Sequence, residues 1–255
     1  MSKKHIFFIE GGDNVGKTTT ISTIKLTQHI SRIKYNRLEF SKYPTYKATD
    51  AINILNRQLK EVKEKFNSNT ISIVEYDEKR SKITKDLINA MIEDMSTVFT
   101  SLYDDYKDIS NYNYMDTLTI SDRGFLSTYL YQYKSLPEAS GYNELEYLKK
   151  FVNDYVPETE NEMSIIILNN NANYHLDIDE SETIEYKRDF DHDVELQSRI
   201  NNSLKNIVKL IKEGKLNEIP RIKFYYIDIF NESGRVRKTP DQICEEIVGI
   251  INKED

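Results

Sequence analysis

Short apolar, β-prone runs alternate along the chain with stretches whose apolar positions recur every three or four residues. The runs are His5 to Ile9, Arg37 to Phe40, Thr117 to Ser121, Met163 to Leu168 and Ile222 to Ile227. Helical spacing appears between and after them: Ile21, Ile24, Ile30 and Ile33 across Thr19 to Lys34, then Leu196, Ile200, Leu204, Ile207, Val208 and Ile211. Thr239 as N-cap and Pro240 at the first helical position open a last helix through Ile243, Ile247 and Ile250. The alternation predicts an α/β fold, a five-stranded parallel sheet with helices on both faces. Ligands in such folds gather at the carboxyl ends of the strands. Here those ends carry the loop after Ile9, the Tyr43-Pro44 turn and Asp122-Arg123, so three motifs converge on one rim.

Two stretches interrupt the alternation. A helical insertion runs from Asp50 to Tyr112, with Ile52, Leu55, Leu59, Val62 and Phe66 on one face and a break at Asn67 to Thr70. A second helix follows, bearing Leu87, Ile88, Met91, Ile92, Met95, Val98, Phe99 and Leu102. Most of this stripe reads as core packing; its far end, near Phe99, is a candidate for reaching a ligand. From Asn169 to Asp193 periodicity fails in a polar loop that includes Lys187 and Arg188, a length that suits a lid. The 255 residues fit one domain, 1–255, carrying both features.

Composition excludes several partners. A net charge of −7 argues against a long nucleic acid held through many phosphates, while leaving room for a basic pocket around one small anion. The single cysteine, Cys244, sits among apolar residues and reads as core in a reducing compartment. His5, His29, His175 and His192 lack metal-ligand spacing and read as isolated surface or strand-edge residues. No apolar run is long enough to span a bilayer and no signal-peptide core is visible, which predicts a cytoplasmic location without membrane contact.

The stretch Gly11 to Thr18, GGDNVGKT, matches G-x-x-x-x-G-K-[ST] between a strand and a helix. In that setting, the backbone N–H groups of Gly11, Gly12, Asp13, Asn14, Val15 and Gly16 turn toward phosphate oxygens. The helix start at Lys17, Thr18 and Thr19 adds its positive end. Lys17 would reach the outer phosphates of a nucleoside triphosphate, and Thr18 would ligate Mg²⁺. The bland alternative, a glycine turn with a surface lysine, explains the octet but not its flanks.

A second motif closes the strand Leu118 to Ser121: Asp122-Arg123, then Gly124-Phe125-Leu126-Ser127 and Tyr131-Gln132. An acid there can hold Mg²⁺ directly or through water, and the planar arginine fork can bind two phosphates at once. With both motifs, the chain resembles the thymidylate kinase family of nucleoside monophosphate kinases. IEGGDNVGKTT is similar to that family's E-G-x-D-x-x-G-K-T-T, and SDRGFLSTYLYQ to its D-R-Y-x-x-S-x-x-A-Y-Q. KYPTY is similar to a Phe-Pro segment, and YYIDIF with TPDQICEEI to the closing strand and helix. The resemblance implies a P-loop three-layer fold, ATP and Mg²⁺ as cofactors and a homodimer. It places Asp13 near the sugar 3′-hydroxyl, with Tyr43, Arg123, Ser127 and Gln132 around the acceptor. Lys187 and Arg188 would be lid cations, Arg188 acting in catalysis with Lys17, Asp122 and Arg123. The chain departs from the family at Gly124, where a tyrosine usually packs on the sugar, at Tyr46 or Lys47, and at Tyr103, where arginines usually stand.

The expected reaction is in-line transfer of the ATP γ-phosphoryl group to a deoxynucleoside monophosphate, dTMP first among them. Gln132 would read a pyrimidine edge and Phe99 would stack on the base. Two rivals stand beside it. A deoxynucleoside kinase would need a base such as Glu10 or Asp122 to deprotonate a neutral hydroxyl. A regulator that binds nucleotide without catalysis would fit Gly124 and the missing arginines.

Overall fold

The computed structural model describes residues 4–13, 15–26, 29–35, 37–44, 49–104, 116–137, 142–159, 161–171 and 193–254, without side chains at 49, 97–104 and 193–195. Five strands, β1 (Lys4–Glu10), β2 (Arg37–Lys42), β3 (Thr117–Asp122), β4 (Glu162–Asn169) and β5 (Ile222–Asp228), pair in parallel in the order β2-β3-β1-β4-β5. All five expected strands are present. Successive side chains of a strand point to opposite faces. In β1, Ile6 and Phe8 therefore enter one core, and Phe7 and Ile9 the other.

Helices α1 (Lys17–Leu26) and α7 (Pro240–Ile251) cover the Phe7 and Ile9 face. Helices α3 (Ile73–Asp104), α4 (Phe125–Tyr131), α5 (Glu144–Tyr155) and α6 (Asp193–Lys212) cover the other. This is the three-layer arrangement expected. At the start of α7, Thr239 and Gln242 form a reciprocal capping box with Pro240 in the first turn.

The insertion is a pair of packed helices, α2 (Thr49–Asn67) and α3, with Phe66 stacked on Tyr76 near the break. Leu87, Ile88, Met91 and Met95 of the α3 stripe are buried in the core. The side chain of Phe99, which was expected to stack on the base, lies outside the described residues, as does that of Tyr103. So do Tyr46, Lys47 and 172–192, which hold Lys187, Arg188 and most of the expected lid.

Two readings are corrected. The first helix stops at Leu26 instead of running to Lys34, and Ile30–Arg32 forms a separate 3₁₀ turn; the spacing of Ile30 and Ile33 belongs to the return toward β2. His5 and His29 are buried, not at the surface. A central strand covered on both faces has no solvent side to offer His5, which bonds to Tyr35 and Ser164 instead. Among the described residues, no helix is long and apolar enough to cross a membrane.

Candidate active site

Strand register brings the two motifs together. Ile9 pairs with Asp122 and Glu10 with Ile167, so β1, β3 and β4 end almost level. The loop after β1 and the turn after β3 emerge side by side, and the backbone N–H of Arg123 donates to the Ile9 carbonyl at 3.1 Å.

The loop is closed by its own lysine. Lys17 Nζ donates to the carbonyls of Gly11 at 3.1 Å and Gly12 at 2.6 Å. Burial lowers the Lys17 pKa, the charge of Arg123 lowers it further, and Glu10, Asp13 and Asp122 oppose both. A desolvated ammonium whose hydrogen-bond partners among the described residues are neutral carbonyls gains from an incoming anion. Gly11, at φ +146°, occupies backbone space that a Cβ would not share with the Leu168 carbonyl, 2.8 Å away. Val15 is buried, Thr18 and Thr19 are exposed at the start of α1, and Asn14 lies outside the described residues.

Thr18 Oγ1 donates to Asp122 Oδ2 at 2.7 Å, so the hydroxyl and carboxylate expected at a metal stand together at the rim. Two hard oxygen donors beside a phosphate loop are the set that Mg²⁺ takes when it keeps waters and phosphate oxygens as its remaining ligands. The residues fit the ion.

Arg123 has φ +72°, a left-handed backbone that costs a residue with a side chain roughly 1–2 kcal/mol. Hydrogen bonds hold the turn: Ser121 Oγ donates to the Arg123 carbonyl, and the Tyr43 N–H to that of Asp122. The strained turn brings the guanidinium to Asp13, Nη2 to Oδ1 at 2.9 Å, over the Tyr131 ring. Tyr131 also donates its hydroxyl to Asp13 Oδ1 at 3.1 Å, and Gln197 of α6 donates to Oδ2 at 2.5 Å. Burial would raise the Asp13 pKa, but the bond and charge of Arg123, with Gln197 and Lys17, outweigh it and hold the carboxyl below its usual value. Asp13 thus joins the phosphate loop, the turn after β3 and α6.

Other expected contacts fall elsewhere. Ser127 is buried and serves Glu10: its N–H donates to Oε1 at 3.1 Å and its hydroxyl to Oε2 at 2.6 Å. Glu10 is fully buried, which raises its pKa against those two bonds and the charges of Arg123 and Lys17. Tyr43 is a core residue whose hydroxyl meets Thr128 Oγ1 at 3.3 Å. Gln132 is half-exposed at the C-cap of α4, and among the described hydrogen bonds none ties its amide to Asp13. Gly124 has no room for a side chain: a Cβ there would lie 2.2 Å from the Phe8 ring, pointing into the core rather than at the Asp13 cluster.

Sequence reasoning missed Gln197 and Asn201. Asn201, one turn after Gln197, puts Oδ1 2.9 Å from where a Gly12 Cβ would stand. The available signal was two polar positions four apart at the start of an otherwise apolar-striped helix.

No family model matches the chain, and no curated protein matches its sequence. Among solved structures the chain is similar to the thymidylate kinase from Ehrlichia chaffeensis, at 13% identity over 98% of this chain and 99% of that one, with a TM-score of 0.45. It is also similar to EHV4-TK complexed with TP4A, at 9% identity over 98% and 91% of the two chains, with a TM-score of 0.46. The fold assigned above rests on the strand order, the register and the loop geometry.

Proposed function

We propose that this chain moves the γ-phosphoryl group of ATP onto the phosphate of a deoxynucleoside monophosphate, dTMP in the first instance. The observation that carries this reading is the placement of Arg123, strained in its backbone and tied to Asp13, beside Lys17 and the Thr18–Asp122 pair.

Lys17 exchanges its carbonyl partners for donor phosphate oxygens, which offer it a full charge. Arg123 lies between the donor end of the loop and the acceptor, where its fork takes an oxygen from each and neutralises charge spreading over the transferring group. Asp13 and Tyr131 hold that fork in position, and Asp13 would approach the acceptor sugar. Thr18 and Asp122 would hold Mg²⁺, which when bound draws charge from the β- and γ-phosphates. An acceptor oxygen attacks phosphorus as the bond to the ADP oxygen breaks. The attacking oxygen is already anionic, so no residue has to remove a proton. Lys187 and Arg188 are the proposed lid cations.

The placement of the two acids speaks against a deoxynucleoside kinase. Glu10 is fully buried with both oxygens taken by Ser127, and Asp122 accepts the Thr18 hydroxyl. Burial and these bonds withdraw Glu10 as a base, and the proposed metal role occupies Asp122. A panel of nucleosides, nucleoside monophosphates and deoxymonophosphates with ATP and Mg²⁺, scored for product, tests the reading. Turnover of dTMP to dTDP is expected; turnover of thymidine without dTMP overturns it.

A further inference from the structure

We infer that Arg237 binds the donor nucleotide through its inner phosphates, opposite the flank that Arg123 occupies. The inference deepens the reading of Gly11–Thr18 as the donor site and rests on it. Beyond β5 the chain folds into a tight hairpin. Phe230 bridges antiparallel to Arg237, the Lys238 N–H donates to the Ile229 carbonyl at 2.8 Å, and the Asn231 N–H to that of Val236 at 2.8 Å. Asn231 Oδ1 accepts from the N–H groups of Arg235 and Val236 inside the turn, and Gly234 takes φ +67° there. Asn171, just past β4, pins the hairpin from the side: its side-chain Oδ1 accepts the Phe230 N–H at 2.9 Å and its Nδ2 donates to the Phe230 carbonyl at 3.3 Å. The return strand is therefore held at both ends, and it delivers Arg237 to the phosphate loop. Nη2 of Arg237 lies 3.3 Å from the point where a Cβ on Gly16 would stand.

Strand order gives this contact its meaning. The loop follows β1 at the centre of the sheet. Arg123 approaches it from β3 on one side, and Arg237 from beyond β4 and β5 on the other. Transfer runs toward Arg123, so the part of the donor that stays behind lies toward Arg237. Gly16 ends the loop immediately before Lys17 begins α1, the place where main-chain N–H groups turn toward the inner phosphates. A planar guanidinium there adds donors that neither Lys17 nor the loop amides supply.

Calorimetric titration of the full chain with ATP, ADP and pyrophosphate tests this. Arg237→Ala should weaken all three roughly tenfold, the scale of one charged hydrogen bond at an accessible position. KM for ATP should rise by a similar factor, with partial recovery in Arg237→Lys. Unchanged ADP binding in Arg237→Ala, alongside lost binding in Lys17→Ala, overturns the inference and spares the donor site. Unchanged binding in both variants overturns the donor site itself and the inference with it. Loss of ATP affinity alone would move the guanidinium to the γ-phosphate, and loss for nucleotides but not pyrophosphate would move it to the base; either overturns the assignment.

Discussion

The two edges of the sheet each carry a cluster of ionisable side chains, and they differ in how those groups are satisfied. At the amino edge His5 meets Tyr35 through Nδ1 and Ser164 through Nε2, while Glu254 accepts from Lys223 and Tyr225. His5, Glu162 and Glu254 place ligand atoms within 4.8 Å of one another, a spacing that by itself suits a metal. Yet Lys223 has a carboxylate partner and both histidine nitrogens face hydroxyls. At the carboxyl edge the hydrogen-bond partners of Lys17 among the described residues are neutral carbonyls, and Arg123 adopts a backbone it would not choose in order to reach Asp13. A cluster that has settled its charges internally builds scaffold. One that holds a desolvated cation against weak partners is prepared for an anion.

That contrast can be broken most decisively at Lys17. Lys17→Ala should lower kcat/KM about 10³-fold in a coupled ADP-release assay, and a rate within threefold of wild type would remove the carboxyl edge as the site. Arg123→Lys keeps the charge and loses the planar fork; a fall of about 10²-fold in kcat is expected, and equal activity would mean that a point charge suffices. Asp13→Asn should cost about tenfold by loosening Arg123. Because its folded pKa is depressed, the contribution of Asp13 to stability is present above 3.8 and is lost as pH falls through the folded value, so the asparagine variant should lose that part of the acid-side decline in melting temperature. At the amino edge His5→Ala should leave kcat/KM unchanged while denaturant unfolding shows a loss of about 1–3 kcal/mol. A large fall in activity there would erase the distinction.

The smallest expected effect concerns Glu10. Its folded pKa is raised, so its contribution to stability is complete below 4.5 and is lost as pH rises from there through the folded value. Glu10→Gln should therefore flatten the decline in melting temperature on that side. An unchanged pH profile would place the titration elsewhere.

How far the sequence reached depended on the distance over which each signal acts. The phosphate loop is legible because Gly11, Gly16, Lys17 and Thr18 carry their roles within one turn of chain. The strands were legible because burial on both faces forces short apolar runs. Arg123 could be placed at the loop once β1 and β3 were expected to end on one rim. The tie of Ser127 to Glu10 was not legible, because it is set by a solvation argument: a fully buried carboxylate must collect donors from whatever packs on it. Gln197 lies far along the chain from Asp13, and its local mark, a polar position one turn before Asn201 in an apolar-striped helix, does not say what it meets. Arg237 depends on a hairpin whose reach only the folded chain reveals.

Phe8 and Gly124 occupy what is nearly a single volume. A side chain added after Arg123 therefore requires either a smaller residue in place of the ring on β1 or a shift of the backbone between them. Substitutions at the two positions should be strongly epistatic, and swapping residue 124 alone between this chain and a relative would test the backbone's tolerance rather than the chemistry of the exchanged residue.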